Sequence, residues 1–281
     1  MTLSVAWVRM IGDVHELVFA SDSRLSGGGM KFDSCPKMLG LSRSDCIISF
    51  AGATEYAYPL MIQMANAINF YPASRSRHVD IVDAKGIIIK IFNGMRGSIS
   101  DHYLGPEGPG DPEALFIFGG YSWKLQEFKI WTLHYDREID CFTFRPCNPW
   151  PGQDTKASQG RVKKISWIGD KPAIDDAKSR IEEILRERGT LTSGGFDMEP
   201  LEVLRDIIRS AKYDSIGGAP QVAKVYRSMQ TQHFAVRWPD SDGRPHATGR
   251  PALEFENFDL PVIDIEMPHV HSRKSRQIHL S

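Results

Sequence analysis

Cysteine is scarce in this chain: there are four in 281 residues, at positions 35, 46, 141 and 147. None forms a CxxC pair or stands beside paired histidines, so neither a zinc-site spacing nor a disulfide frame is present. Reduced thiols in a cytoplasmic protein are the expectation. Long apolar runs are missing too. No stretch reaches the roughly 18 residues of a membrane-spanning helix, and the first residues lack the basic-then-apolar pattern of a secretory signal. The formal charge is only −1, which argues against nucleic-acid binding through bulk phosphate attraction. The glycines at 27–29 are not followed by a lysine and a hydroxyl residue as in a phosphate loop. The nine histidines form no HExxH or HxxEH pattern, so no metal or cofactor is implied. No repeat is visible. What is present is a length that suits one large domain or two small ones, and a hydrophobic share of 41%, enough for a sizeable core.

Val5–Met10 and Leu17–Ala20 are β-rich apolar runs parted by a turn at 11–16, and predict a hairpin. Leu25–Met30 reads as a flexible loop, Cys35–Leu41 and Cys46–Phe50 as strands. Helical spacing of Leu60, Met61, Met64, Ala65 and Ile68 predicts a helix over Glu55–Phe70, and a second helix is expected over Ile81–Ser100. After a loop at 104–112, strands are expected at Ala114–Phe118, Phe128–His134, Ile139–Phe144 and Ile165–Ile168. Helices follow from Pro172, at a position where proline is tolerated, and from near Pro200. Val222–Met229 and His233–Arg237 read as closing strands. Strand groups joined by short turns and alternating with helix pairs predict an α+β fold. Its form would be a four-layer αββα sandwich of two antiparallel sheets. Residues 1–238 read as its domain, and 239–281 as a C-terminal extension with an edge strand near Leu260–Ile265 and a basic tail from His271.

The start of the chain carries the chemistry. Thr2 stands behind Met1, and a small second residue favours removal of the methionine. Thr2 would then hold a hydroxyl and a free α-amine on one residue, a nucleophile with its own base. Such an amine titrates at about 7.7–8 and is a competent base near neutrality.

Four features stand in order: Thr2, then Ala20-Ser21-Asp22-Ser23-Arg24, then Pro36-Lys37-Met38, then Phe50-Ala51-Gly52-Ala53-Thr54. In this order the chain resembles the β-type subunits of proteasomes, which are N-terminal-nucleophile (Ntn) hydrolases, and most of all the bacterial HslV-type and Anbu-type subunits. The resemblance covers residues 2–70 well and continues more weakly to about 238. It implies that Thr2 is the nucleophile and that Lys37 keeps its surroundings positive. Asp22 would pair with Lys37, and the Gly52 N–H would hold an oxyanion. Arg24 would order the turn. The spacing from Thr2 to Asp22 is longer than the family's. Asp170 stands where the family has a serine; it either accepts a hydrogen bond from the Thr2 amine or caps the next helix. The family's late aspartate matches Asp214, with Tyr213 the neighbouring alternative. The implied activity is threonine-type peptide or amide hydrolysis in a homo-oligomeric ring or stack, with an unfoldase as a possible partner. A small-molecule amidase and a catalytically silent assembly subunit are the rival readings.

Overall fold

The structure, a computed structural model, describes residues 2–27, 29–96, 98, 114–153, 162–239 and 243–269. Met1, the expected loop at 104–112 and the tail from His271 lie outside them.

Strands β1 (Leu3–Ile11) and β2 (Val14–Ser21) form the expected hairpin, Val5 opposite Ala20. Side chains leave a strand on alternating faces, yet β1 is buried without a break from Leu3 to Arg9. Both faces must therefore be covered. Next come β3 (Leu25–Gly27), β4 (Met30–Phe32), β5 (Met38–Gly40) and β6 (Cys46–Gly52). They lead into helices α1 (Thr54–Phe70), α2 (Pro72–Arg75) and α3 (Ile81–Arg96). Strands β7 (Ala114–Ser122), β8 (Glu127–Asp136), β9 (Cys141–Pro146) and β10 (Ile165–Gly169) follow, then helices α4 (Lys171–Glu187) and α5 (Glu199–Ser210). The last strands are β11 (Gln221–Tyr226), β12 (Thr231–Arg237), β13 (Pro245–Ala247), β14 (Arg250–Pro251) and β15 (Val262–Asp264).

One sheet runs β10-β1-β2-β11-β12-β13-β14, with β15 also on β12; the other runs β5-β6-β7-β8-β9. Three apolar cores follow from this layout. Leu3, Val5 and Trp7 of β1 meet Ala177 and Ile181 of α4 and Leu204 of α5. The opposite face of the hairpin, with Ala6, Val8 and Phe19, meets Ile47 and Ile117 of the other sheet. That sheet turns Ile48, Phe50 and Phe116 to Met64 of α1 and Phe92 of α3. Each such large apolar side chain contributes roughly 1.5–3 kcal/mol when fully buried.

Two expectations are corrected. Leu25–Met30 is not a loop: β3 and β4 pair, Leu25 opposite Phe32, with Gly29 at φ +80° in the turn. Gly29 serves a tight reversal rather than flexibility. The sheets are also not wholly antiparallel. β15 runs parallel to β12, because the chain from β14 makes a long return before it pairs. This return puts Ile263 and Ile265 in the core beside α4 and α5, so this segment does not cover α1. No helix among the described residues is long and apolar enough to cross a membrane.

Candidate active site

Thr2 immediately precedes β1, so the pairing of β1 fixes its backbone. Leu3 lies opposite Gly169 of β10, and the Asp170 N–H donates to the Thr2 carbonyl at 3.0 Å. A Cβ at Gly169 would come within 1.8 Å of that carbonyl, and its φ is +132°. Only glycine lets β10 close on Thr2.

Asp22 follows directly on β2 and is fully buried. Its carboxylate is saturated by protein donors. Oδ1 accepts from the Leu3 N–H at 3.0 Å and from Lys37 Nζ at 2.8 Å. Oδ2 accepts from the N–H groups of Arg24 at 3.2 Å and Gly217 at 3.1 Å. Lys37 sits just before β5, also fully buried, and donates to Thr2 Oγ at 2.6 Å. Its backbone is tied on both sides. The Lys37 N–H donates to Gln221 Oε1 at 3.0 Å, and its carbonyl accepts from Phe50 N–H at 3.1 Å. Burial pushes the Lys37 ammonium below the ordinary lysine value, against the raising influence of Asp22. A charged Lys37 spends one N–H on the Thr2 oxygen. The Thr2 proton then points elsewhere, and negative charge growing on Oγ meets a cation in a medium of low polarity.

Thr2 lines a cavity of about 600 Å³ together with Gly52, Ala53 and Thr54. Gly52 ends β6 at φ +106°, a conformation that a side chain would strain. The nucleophile candidate and the proposed oxyanion donor thus meet at one opening, with Lys37 bonded to Thr2 behind it, brought together by β1, β5 and β6 of two different sheets.

No protein-family model matches the chain, and no curated protein sequence does. Among solved structures, one subunit in the helical assembly of the Anbu complex from Pseudomonas aeruginosa superposes with a TM-score of 0.56. The match covers 87% of this chain and 86% of that one, at 15% identity. The chain has the fold of an Anbu subunit.

Within that Anbu-like fold the remaining predicted residues divide. Asp170 stands beside Thr2 through its backbone, at the N-cap position of α4, but its side chain makes no capping bond there. Its carboxylate accepts instead from the Ser215 hydroxyl. Asp214 is not brought to Thr2. Its side chain is 84% exposed and bound by Lys31. Arg24 grips Asp33 through two nitrogens and reaches the carbonyls of Asp214 and Ile216. It therefore orders the turn, as the resemblance implies.

Sequence reading missed the residues that hold the clamp. Gln221 donates from Nε2 to the carbonyls of Cys35 (2.7 Å) and Asp22 (3.2 Å) while accepting from Lys37 N–H. One amide side chain thereby couples both members of the ion pair. Ser4 and Ser21 share a hydrogen bond of 2.6 Å across the hairpin beneath them. A polar residue at the start of an apolar strand, as in Gln221-Val222-Ala223, is the one hint that was available.

Proposed function

We propose that this protein is an N-terminal threonine hydrolase that cleaves amide or peptide bonds after Met1 is removed. Under this reading residues 1–238 form a four-layer αββα Ntn-hydrolase domain, and 239–281 extend it. The observation that carries the reading is the buried Lys37 ammonium held between Asp22 and the Oγ of Thr2, which lines a cavity together with Gly52. The layering is supported by the three apolar cores.

The chemistry follows from the positions. Thr2 Oγ attacks the carbonyl carbon while the freed Thr2 amine takes the hydroxyl proton. The carbonyl π electrons move to oxygen, where the Gly52 N–H would receive them; one such donor is worth about 3 kcal/mol. Collapse breaks the C–N bond, and the leaving amine departs with the proton from the Thr2 ammonium. Water, deprotonated by the same amine, then cleaves the acyl ester and restores Thr2. Lys37 lowers the pKa of the Thr2 amine by like-charge repulsion and so keeps it basic. Asp22 compensates Lys37. Asp170, next to Thr2 and oriented by Ser215, positions this corner; Asp214, bound by Lys31 at the surface, is given no role in it.

We place the hydrolase in the cytoplasm, as its free thiols suit, and in a homo-oligomer. Ile62, Phe70 and Tyr71 on and beside α1 are 55%, 76% and 50% exposed, apolar surface that association would cover. A ring or stack would keep a reactive threonine from cleaving at random, and an unfoldase would then be needed to feed it.

Two measurements test this. Intact mass with and without a threonine-directed covalent inhibitor should show loss of Met1 and one adduct at Thr2. A protein that retains Met1 and takes no adduct refutes the mechanism. Light scattering should give a mass several times that of the chain, and a monomer would turn the reading toward a free-standing amidase.

A further inference from the structure

Among the described residues lining the cavity beside Thr2, Glu55 has the one ionisable side chain, the others being apolar, glycine or hydroxyl residues. Glu55 lies in the first turn of α1, three residues beyond Gly52. It makes no hydrogen bond or ion pair among the described residues. The wall facing it comes from the hairpin of β3 and β4. Leu25, Met30 and Phe32 line the cavity, and Met30 and Phe32 are largely exposed. Strand alternation keeps the cation of this hairpin from neutralising Glu55. Met30 and Phe32 face the cavity, whereas Lys31 between them points to the other side and is taken by Asp214. Lys37 is already engaged by Asp22 and Thr2, and Arg24, just before β3, by Asp33.

We propose that this cavity selects substrates with a cationic side chain next to the bond that is cut, and that Glu55 is the specificity-determining residue. A long basic side chain has the two parts that the cavity matches. Its methylene stem can lie along Leu25, Met30 and Phe32, as such stems do on apolar surfaces. Its charged head then meets an unpaired carboxylate on a rigid helix. Arginine fits better than lysine, because its planar fork can bond both carboxylate oxygens. An acidic side chain would meet like charge, and a purely aliphatic one would leave Glu55 partly desolvated with no partner.

The proposal rests on the hydrolase reading for the cleavage step, but not for the binding preference, and the test separates the two. The full-length protein, as purified from cells, is given peptidyl-aminomethylcoumarins that differ only in the residue before the dye: arginine, lysine, leucine or glutamate. Arginine should lead. In Glu55→Gln the arginine-to-leucine ratio of kcat/KM should fall about tenfold, as the loss of one charge-assisted pair requires. In Glu55→Lys the order should reverse in favour of glutamate. In parallel, calorimetry on Thr2→Ala, with and without Glu55→Gln, measures binding of the matching arginine and leucine peptide amides. A binding preference for arginine that vanishes with Glu55→Gln, without turnover by the parent protein, upholds the selectivity and refutes the hydrolase. Equal binding and turnover of arginine and leucine peptides, or a ratio unmoved by both Glu55 substitutions, overturns the selectivity whatever becomes of the hydrolase.

Discussion

Two buried lysine–carboxylate pairs among the described residues have nearly equal geometry. Lys37 lies 2.8 Å from Asp22 and Lys224 lies 2.7 Å from Glu16, all four side chains at most 2% exposed. Burial lowers the pKa of both lysines, and each carboxylate opposes it. What separates them is the surroundings. Lys224 belongs to a closed charge network. Glu16 also accepts from Arg9 at 2.8 Å, Arg9 reaches Asp197 at 2.6 Å, and Asp197 accepts from His269, which Glu202 also holds. Lys37 instead spends a hydrogen bond on a hydroxyl that borders a cavity. A buried pair with a shifted pKa is therefore not a site by itself. Contact with a candidate nucleophile and an adjoining cavity make the difference.

The largest effect expected is at Thr2. Thr2→Ala should lower hydrolysis of a fluorogenic peptide by about 10³-fold or more, with an unchanged circular dichroism spectrum, and Thr2→Ser should keep part of the rate. Undiminished turnover in Thr2→Ala would make the two lysine clusters equivalent after all.

Parallel substitution of the two lysines is the sharpest comparison. Lys37→Ala should remove most of the activity, and Lys37→Arg should not restore it, since a forked guanidinium does not fit a closed site built for an ammonium. Lys224→Ala should leave kcat/KM per folded molecule near the parent value. It should lower the unfolding free energy in urea by about 1–3 kcal/mol, the cost of a lost charged hydrogen bond while Arg9 still holds Glu16. Equal loss of activity in both would show that electrostatics at long range, and not contact with Thr2, sets the rate.

Asp22→Asn combines both behaviours. It should slow turnover and also cost about 3–5 kcal/mol in urea unfolding, because it strands a buried ammonium. A variant that is slow but fully stable would mean that Lys37 is neutral in the folded protein.

The smallest effect concerns pH and the outer end of the structural network. Burial lowers the His269 pKa, but the bonds to Asp197 and Glu202 outweigh it, so the net shift is upward. Arg9 and Arg188 share those two carboxylates, and Glu199 pairs with Arg188. A raised folded pKa means that the imidazolium adds stability that is fully present below the ordinary histidine value and is lost as pH rises through the folded one. His269→Gln should therefore cost stability at pH 6 and little at pH 9. The difference should stay under about 1 kcal/mol, since water screens the exposed side of the ring. A larger cost at pH 9 than at pH 6 would contradict the assignment.

Much of this was legible before any coordinates. The alternation and punctuation of apolar runs give the hairpin of β1 and β2, helix α1, and the starts of α4 and α5 at Pro172 and Pro200. These signals are local, so they survive in one dimension. The glycines of 27–29 misled because flexibility and a tight reversal demand the same residue. Two-residue strands such as Arg250–Pro251 leave no periodic trace.

By itself, the sequence determined which residues were chemically able to form the candidate site. Thr2, Asp22, Lys37 and Gly52 stand out because a hydroxyl, a carboxylate, an ammonium and a side-chain-free backbone differ in kind from their apolar neighbours. Only the tertiary structure decided which of the candidates meet. Lys37 reaches Thr2 across 35 positions of sequence, whereas Asp214 turns outward to Lys31. Gln221, 184 positions from Lys37, ties the pair together. The physical reason is range. Propensity and periodicity act over a few residues, but a buried charge is tolerated only where distant strands deliver every donor and acceptor that it needs.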